Sequence, residues 1–246
     1  MIDRLRQQMQ ALQMFMRAQE VTANNLANIN TPGYKADKLF YRAFTDRLNG
    51  QSVSSVEPQQ TLSMQQGSFE STDNPFDFAI EGNGFFQVES RDGQQLLTRN
   101  GRFKLNAEGY LVDKNGARVQ GEAGPIRLPQ LVKSGALSSD TNIDVAKNGT
   151  IIIEGKEVGR LNIVQVDDMQ KLQRRGNSYL AVSPDAVVNA GNSSQIMQGY
   201  YESGNVNPLT EMVSMTKNMR MFESQQRAMR TTDEMLSQAT NRLGKF

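Results

Sequence analysis

Two long helical patterns, one at each end of the chain, constrain the fold more than anything else. Ile2, Leu5, Met9, Leu12, Met16, Ala23 and Leu26 follow alternating three- and four-residue spacing, broken only by Gln19. This is an apolar seam of the coiled-coil kind. Phe15, Thr22 and Ile29 form a weaker row beside it. The helix is predicted to stop near Asn30, because Pro32 pushes Thr31 out of the α region and Gly33 follows. At the other end Pro208 can open a helix in its first turn. There Met212, Met215, Met219, Phe222, Met229, Leu236 and Leu243 repeat the heptad spacing, with Gln226, Asp233 and Thr240 as polar members of the seam. Met221, Ala228 and Met235 make a second row, and Glu223 and Arg227 form a favourable i,i+4 pair. Two apolar rows on one helix imply either more than one partner helix or packing of both rows inside one chain. Ten of the 13 methionines lie in these two ends.

Between them the helical period disappears. From Asp77 to about Tyr201 short β-like runs take over, separated by turn residues. FAIEGNGFFQV reads as strand, Gly-rich turn, strand, with Gly82-Asn83-Gly84 as a hairpin. Residues 96–98, 102–105, 110–112 and 118–120 follow, with Asn100-Gly101 and Asn115-Gly116 as hairpin turns. NIDVAKNGTIIIEGKEVGRLNIVQV reads as three strands turning at Asn148-Gly149 and at residues 154–157. Two more runs lie at 177–183 and 195–201. Residues 34–74 contain QSVSSVEPQQ, polar and without period, and read as a linker or a conditionally ordered segment. The expected fold class is α+β: paired N- and C-terminal coiled-coil-like helices plus a central, mostly antiparallel β domain. The expected division is 1–32 with 207–246 as a helical assembly domain, 33–75 as linker, and 76–206 as β domain with return segment.

Composition removes several functions. The 246 residues hold no cysteine and no histidine, so thiolate and imidazole metal ligands and the usual neutral-pH base are missing. The formal net charge of +1 gives no reason to expect nucleic acid or an anionic membrane as partner. No apolar run of about 18 residues is present to span a bilayer. The opening MIDRLRQQMQALQ is polar and helical, unlike a cleaved export signal. Acid–base chemistry would rest on carboxylates alone. Asp73, Asp77 and Glu81 lie near a turn, and Asp167 and Asp168 are adjacent, but nothing marks a working pair. The glycine pattern lacks the third glycine and the following helix of a dinucleotide fingerprint. We therefore expect no enzyme, no cofactor and no metal.

The residues that stand out are 22–35, TANNLANINTPGYK. Four asparagines in seven positions make a poor helix interior, because Asn competes for main-chain hydrogen bonds. On the heptad register Asn24, Asn25 and Asn28 avoid the main seam, so their amides are expected to point away from the apolar face. They are then either solvated or paired with neighbouring subunits.

This stretch, from Ala23-Asn24-Asn25-Leu26-Ala27-Asn28-Ile29-Asn30 through Thr31-Pro32-Gly33-Tyr34-Lys35, resembles the signature of flagellar rod and hook proteins. Gly204-Asn205-Val206-Asn207 leading into the C-terminal helix resembles the family's other hallmark. Gly82-Asn83-Gly84-Phe85-Phe86 and Thr98-Arg99-Asn100-Gly101-Arg102-Phe103 resemble its middle-domain motifs. The resemblance implies a subunit exported by the flagellar type III apparatus without a cleaved signal peptide and located in the basal body. It implies that the terminal helices form the inner layer of a helical tube and the β domain the outer layer. The tube would transmit torque and pass later subunits, and the partners would be copies of this chain and other rod and hook proteins. The assembly residues would be Leu5, Met9, Leu12, Met16, Asn24, Asn25, Leu26, Asn28, Asn30, Pro32, Gly33 and Tyr34 on one side. On the other they would be Met212, Met215, Met219, Phe222, Met229 and Leu236. Hook subunits of the family carry extra outer domains that this length does not accommodate, and the compact stretch 36–66 is unlike the distal-rod pattern. The resemblance thus favours a proximal-rod subunit, with a distal-rod or short hook-type subunit, or a transient rod assembly factor, as alternatives.

Overall fold

In the computed structural model the described residues are 2–48, 51–128, 143–176, 178–182, 187–189 and 194–243. The chain divides into two units, one of residues 1–27, 37–61 and 207–246, the other of residues 28–36 and 62–206.

The first unit contains α1 (Ile2–Ala27), the two-stranded sheet of β1 (Asp37–Leu48) and β2 (Gln51–Leu62), and α2 (Pro208–Leu243). α1 ends three residues before Asn30. A turn follows, closed by the Thr31 N–H donating to the Asn28 carbonyl at 3.0 Å. Asn207 caps α2, its Oδ1 accepting the Thr210 N–H at 3.2 Å, just ahead of Pro208. The two helices pack against each other antiparallel. Gln8 reaches Thr232, Asn218 reaches Thr22, and Asn25 reaches Glu211. The segment read as a linker carries two twelve-residue strands. Pro58 lies within β2, and a two-stranded sheet tolerates it because each strand has a free edge where a missing N–H costs nothing.

The second unit is β-rich. Its strands are β3 (Phe69–Ser71), β4 (Phe78–Glu81), β5 (Phe85–Glu89), β6 (Gln95–Thr98), β7 (Lys104–Leu105), β8 (Leu111–Val112), β9 (Arg118–Gly121) and β10 (Gly124–Pro125). They continue with β11 (Ile143–Val145), β12 (Thr150–Ile153), β13 (Lys156–Arg160), β14 (Ile163–Val166), β15 (Gln173–Arg175), β16 (Tyr179–Ala181), β17 (Val187–Asn189), β18 (Gln195–Gln198) and β19 (Tyr200–Glu202). The main sheet runs β15-β16-β6-β5-β9-β8-β7, with β10 beside β9, β14 beside β5 and β17 beside β14. β11, β12 and β13 make a separate sheet; β4 pairs with β18 and β3 with β19. All the resolved pairings in this unit are antiparallel. β5 is central and covered on both faces. Phe86 and Val88 enter one apolar cluster, with Phe78, Phe103, Leu111 and Val119, while Phe85 enters another with Leu97, Val164 and Leu180. The Phe86 and Phe103 rings meet edge to face at 5.3 Å.

Asn115-Gly116 and Asn148-Gly149 join paired strands as expected, with both glycines at positive φ. Two other expected hairpins are not hairpins. β4 and β5, on either side of Gly82-Asn83-Gly84, lie in different sheets, and β6 and β7, on either side of Asn100-Gly101, do not pair. Gly101 is instead a close-approach residue. A Cβ there would stand 1.7 Å from the Phe78 carbonyl oxygen.

Candidate functional site

In the first unit the helix pair uses only part of the apolar surface the sequence offers. On α2, Met215, Phe222 and Met229 are half-buried, whereas Met212 and Met219 are exposed. On α1, Leu12 and Leu26 are half-buried, and Met9 and Met16 are exposed. The weaker row supplies much of the covered face: Phe15 is half-buried and Thr22 is buried, next to Val21. The side chains of Leu5 and Leu236 lie outside the described residues. Four of these nine seam side chains are therefore exposed. Leu209, Val213, Met221 and Met235 are exposed with them, Leu209 to 72%.

The asparagines divide. Asn24 is exposed, but Asn25 is only 2% exposed and Asn28 is also buried, contrary to amides pointing outward. Asn25 behaves as a strand residue would. Its Oδ1 accepts the Asp37 N–H at 2.9 Å and its Nδ2 donates to the Asp37 carbonyl at 2.9 Å. A primary amide offers the same donor and acceptor as a peptide group, so it seats the first residue of β1 on the last turn of α1. The Asn25 Nδ2 also lies 3.3 Å from Glu211 Oε1. Burial raises the Glu211 carboxyl above its ordinary range, and the Asn25 hydrogen bond opposes that rise.

In the second unit the rest of the signature forms a buried clamp. Gly33 has φ +67°, and its N–H donates to the Glu202 carbonyl at 2.7 Å. A Cβ on it would meet the Arg99 carbonyl carbon and the Asn100 nitrogen at 2.3 Å, so this position accepts only glycine. Tyr34, 1% exposed, packs with Ala36, Val206 and Ile29 beneath the Arg174 guanidinium, 4.4 Å above its ring. Arg174 also donates to the Lys35 carbonyl. Pro32 is half-buried and Asn30 exposed.

Lys35 leads into the centre of the clamp. Its Nζ stands 2.7 Å from Glu202 Oε1 and 2.9 Å from the Gln65 carbonyl. Arg99 Nη1 meets Glu202 Oε2 and the Ile80 carbonyl, each at 3.2 Å, and Nη2 meets the Gly82 carbonyl at 2.6 Å. The Gly67 N–H adds a bond to Glu202 Oε1 at 2.9 Å. All three ionic side chains are buried: Lys35 is 3%, Arg99 5% and Glu202 1% exposed. Burial lowers the Lys35 ammonium below its ordinary value, with Glu202 opposing. Asn205 closes the clamp. Its Oδ1 accepts the Ala36 N–H at 2.7 Å, and its Nδ2 donates to the Ser63 and Gln65 carbonyls, both at 2.8 Å.

Sequence reasoning missed Arg99, Glu202 and Asn205 as partners of the signature, and Asp37 as partner of Asn25. Residues 35, 99 and 202 share no spacing, and only the folded sheets bring them together. The signal within reach was that Lys35, Arg99 and Asn205 each stand inside one of the recognisable motifs.

Among the described residues carboxylate chemistry has no visible centre. Asp77 is buried and engaged by Asn74 Nδ2 at 3.1 Å and by Arg102 at 3.7 Å, while Asp73 and Glu81 are exposed. Among the described residues no group of three or more acidic side chains could hold a metal ion, and no helix is long and apolar enough to cross a membrane.

These two units define a class: an α+β protein with terminal helices paired in one unit and a β-rich second unit clamped by the segment that follows α1. Residues 5–35 match the family model "Flagella basal body rod protein", residues 79–153 "Flagellar hook protein FlgE/F/G D1 domain", and residues 197–243 "Flagellar basal body rod FlgEFG protein C-terminal". The chain is 31% identical over 244 residues to the flagellar basal-body rod protein FlgF of Caulobacter vibrioides, covering 95% of each chain. It is 30% identical to FlgF of Salmonella typhimurium, covering 92% of each. It is 31% identical to the rod protein FlgG of Buchnera aphidicola subsp. Acyrthosiphon pisum, covering 88% of this chain and 90% of that one. The chain belongs to the flagellar basal-body rod protein family.

Proposed function

We propose that this chain is a structural subunit of the flagellar basal-body rod, of the proximal type, and not an enzyme. One observation carries the reading: the helix pair leaves Met9 and Met16 on α1, and Leu209, Met212, Val213, Met219, Met221 and Met235 on α2, in solvent. Large apolar side chains repeated along two helices give neighbouring helices a surface to pack on. Methionine suits that surface, because its flexible thioether adapts to slightly different packing around a helical assembly. Subunits joined this way head to tail form an open tube, as heterologous contacts do when the rotation does not close. The helices supply the inner layer, the β domain the outer one, and the tube transmits torque and passes exported subunits. The chain leaves the cell through the flagellar export apparatus, and its partners are copies of itself and other rod and hook proteins. The proximal type is favoured by the compact stretch 36–66, which is unlike the distal-rod pattern.

Electron microscopy of basal bodies from a strain lacking the gene tests this. A rod absent or cut short at a defined height is the expected result, and the height identifies the subunit's level. An intact rod and hook would refute the structural role and leave a transient assembly factor.

A further inference from the structure

The β-rich unit carries a basic groove that the helix-based reading does not use. Its volume is about 570 Å³, and Arg91, Lys104, Lys114 and Arg118 line it against two carboxylates, Glu89 and Glu108. All four basic side chains are exposed, and among the described residues none of them forms an ion pair. Glu89 is already engaged by Gln120 Nε2 at 3.1 Å. The walls are short antiparallel turns. Arg91 belongs to the β5–β6 turn, closed by the Ser90 N–H to the Gln94 carbonyl, and Lys114 to the β8–β9 turn. The Arg91 guanidinium lies directly over Gly116, where a Cβ would come within 2.8 Å of its Nη2. Arg118 is held by stacking on the Tyr110 ring at 4.5 Å. Like charges on fixed elements around a concave wall focus a positive potential into it.

The same unit presents a complementary surface. In the β11–β12–β13 sheet, Asp144 and Glu157 both pair in register with Ile152, and Glu154 follows at the β12–β13 turn; Lys156 stands between the two glutamates, so three carboxylates outweigh one ammonium there. The three carboxylates are exposed, and among the described residues none has an ion-pair partner. Gly155 at the turn has open space around it, so the tip is sterically free to enter a groove.

We propose that the basic groove of one subunit receives the acidic β12–β13 tip of the next copy, a heterologous contact between β domains that sets which copies become neighbours. It rests on the rod-subunit reading and adds a second, electrostatic contact to it. Complementary charge of this kind acts on partner choice and encounter rate more than on raw affinity.

The test uses the purified full chain in sedimentation equilibrium from low to high salt. One variant carries Arg91→Glu with Lys114→Glu, the other Glu154→Lys with Glu157→Lys. All four sites are exposed, and unchanged thermal unfolding confirms that each variant folds. Each variant alone should lose about tenfold in low-salt association, because groove and tip then repel. An equimolar mixture of the two should regain it, because both groove–tip combinations between unlike copies are again complementary. Wild-type protein that stays monomeric at low salt, variants that associate like wild type, or a mixture that stays dissociated would each overturn the proposal. If the groove variant still builds rods of full length in cells, the rod reading stands and the groove contact alone falls.

Discussion

Replacing Glu202 by Gln keeps the shape of the clamp and removes its one negative charge. Lys35 and Arg99 would then be two buried cations, 3% and 5% exposed, with only neutral acceptors left. Removing one partner of a buried ionic cluster typically costs about 3–5 kcal/mol, because the uncompensated charge stays out of water. For a chain of this size each kcal/mol moves the midpoint by roughly 2–4 °C, so Glu202→Gln should lower it by about 6–20 °C in scanning calorimetry. Lys35→Met is the informative control. The environment of Lys35 disfavours its charged form on balance, since burial outweighs the attraction of Glu202. Removing that cation leaves Glu202 and Arg99 as a neutral pair with Gly67, Ile80 and Gly82 still bonded to them. Lys35→Met should therefore cost less than half as much as Glu202→Gln. Equal losses for the two variants, or a Glu202→Gln midpoint within about 2 °C of wild type, would refute the charge argument.

Gly33→Ala should cost roughly 3 kcal/mol or more, from left-handed backbone strain plus the 2.3 Å clash with Arg99 main chain; a denaturant midpoint near wild type would contradict it. Asn25→Ala removes both bonds to the Asp37 main chain and should cost roughly 1–3 kcal/mol, read by faster hydrogen exchange at the start of β1. Between the lowered folded value of Lys35 and its ordinary 10.5, the unfolded chain holds more protons than the folded one, so stability should rise with pH across that window. The rise should vanish in Lys35→Met, measured as the difference between the two urea-unfolding profiles.

The parts of the fold that were legible in the sequence share one property: their signal is local. The terminal helices announce themselves by period, and Asn115-Gly116 and Asn148-Gly149 by turn chemistry. The misreadings share the opposite property. Asn100-Gly101 has the residues of a hairpin turn, yet β6 finds its partners in β5 and β16, so the dipeptide becomes a buried passage against Phe78. β1 and β2 carry no clean alternation and contain a proline, which two-strand pairing permits. The helical seam was half legible for a related reason. Spacing identifies apolar rows but not which row a partner helix covers, and here Phe15 and Thr22 are covered while Met9 and Met16 are not.

That division separates folding from assembly. Gly33, Tyr34 and Lys35 act inside their own unit, where each contact is already satisfied, so damage there should appear as lost stability in the isolated chain. The exposed methionines contribute little to that stability, because each remains 46–59% exposed. Met212→Lys with Met219→Lys should shift unfolding by no more than about 0.5 kcal/mol per site, the range of surface substitutions. In cells the same double variant should abolish rod formation and motility, since it places two charges on the surface we propose for docking neighbouring helices. A double variant that unfolds like wild type and still builds rods would show that neighbours dock elsewhere. One that loses stability by several kcal/mol would show that the exposed row is packed within the chain after all.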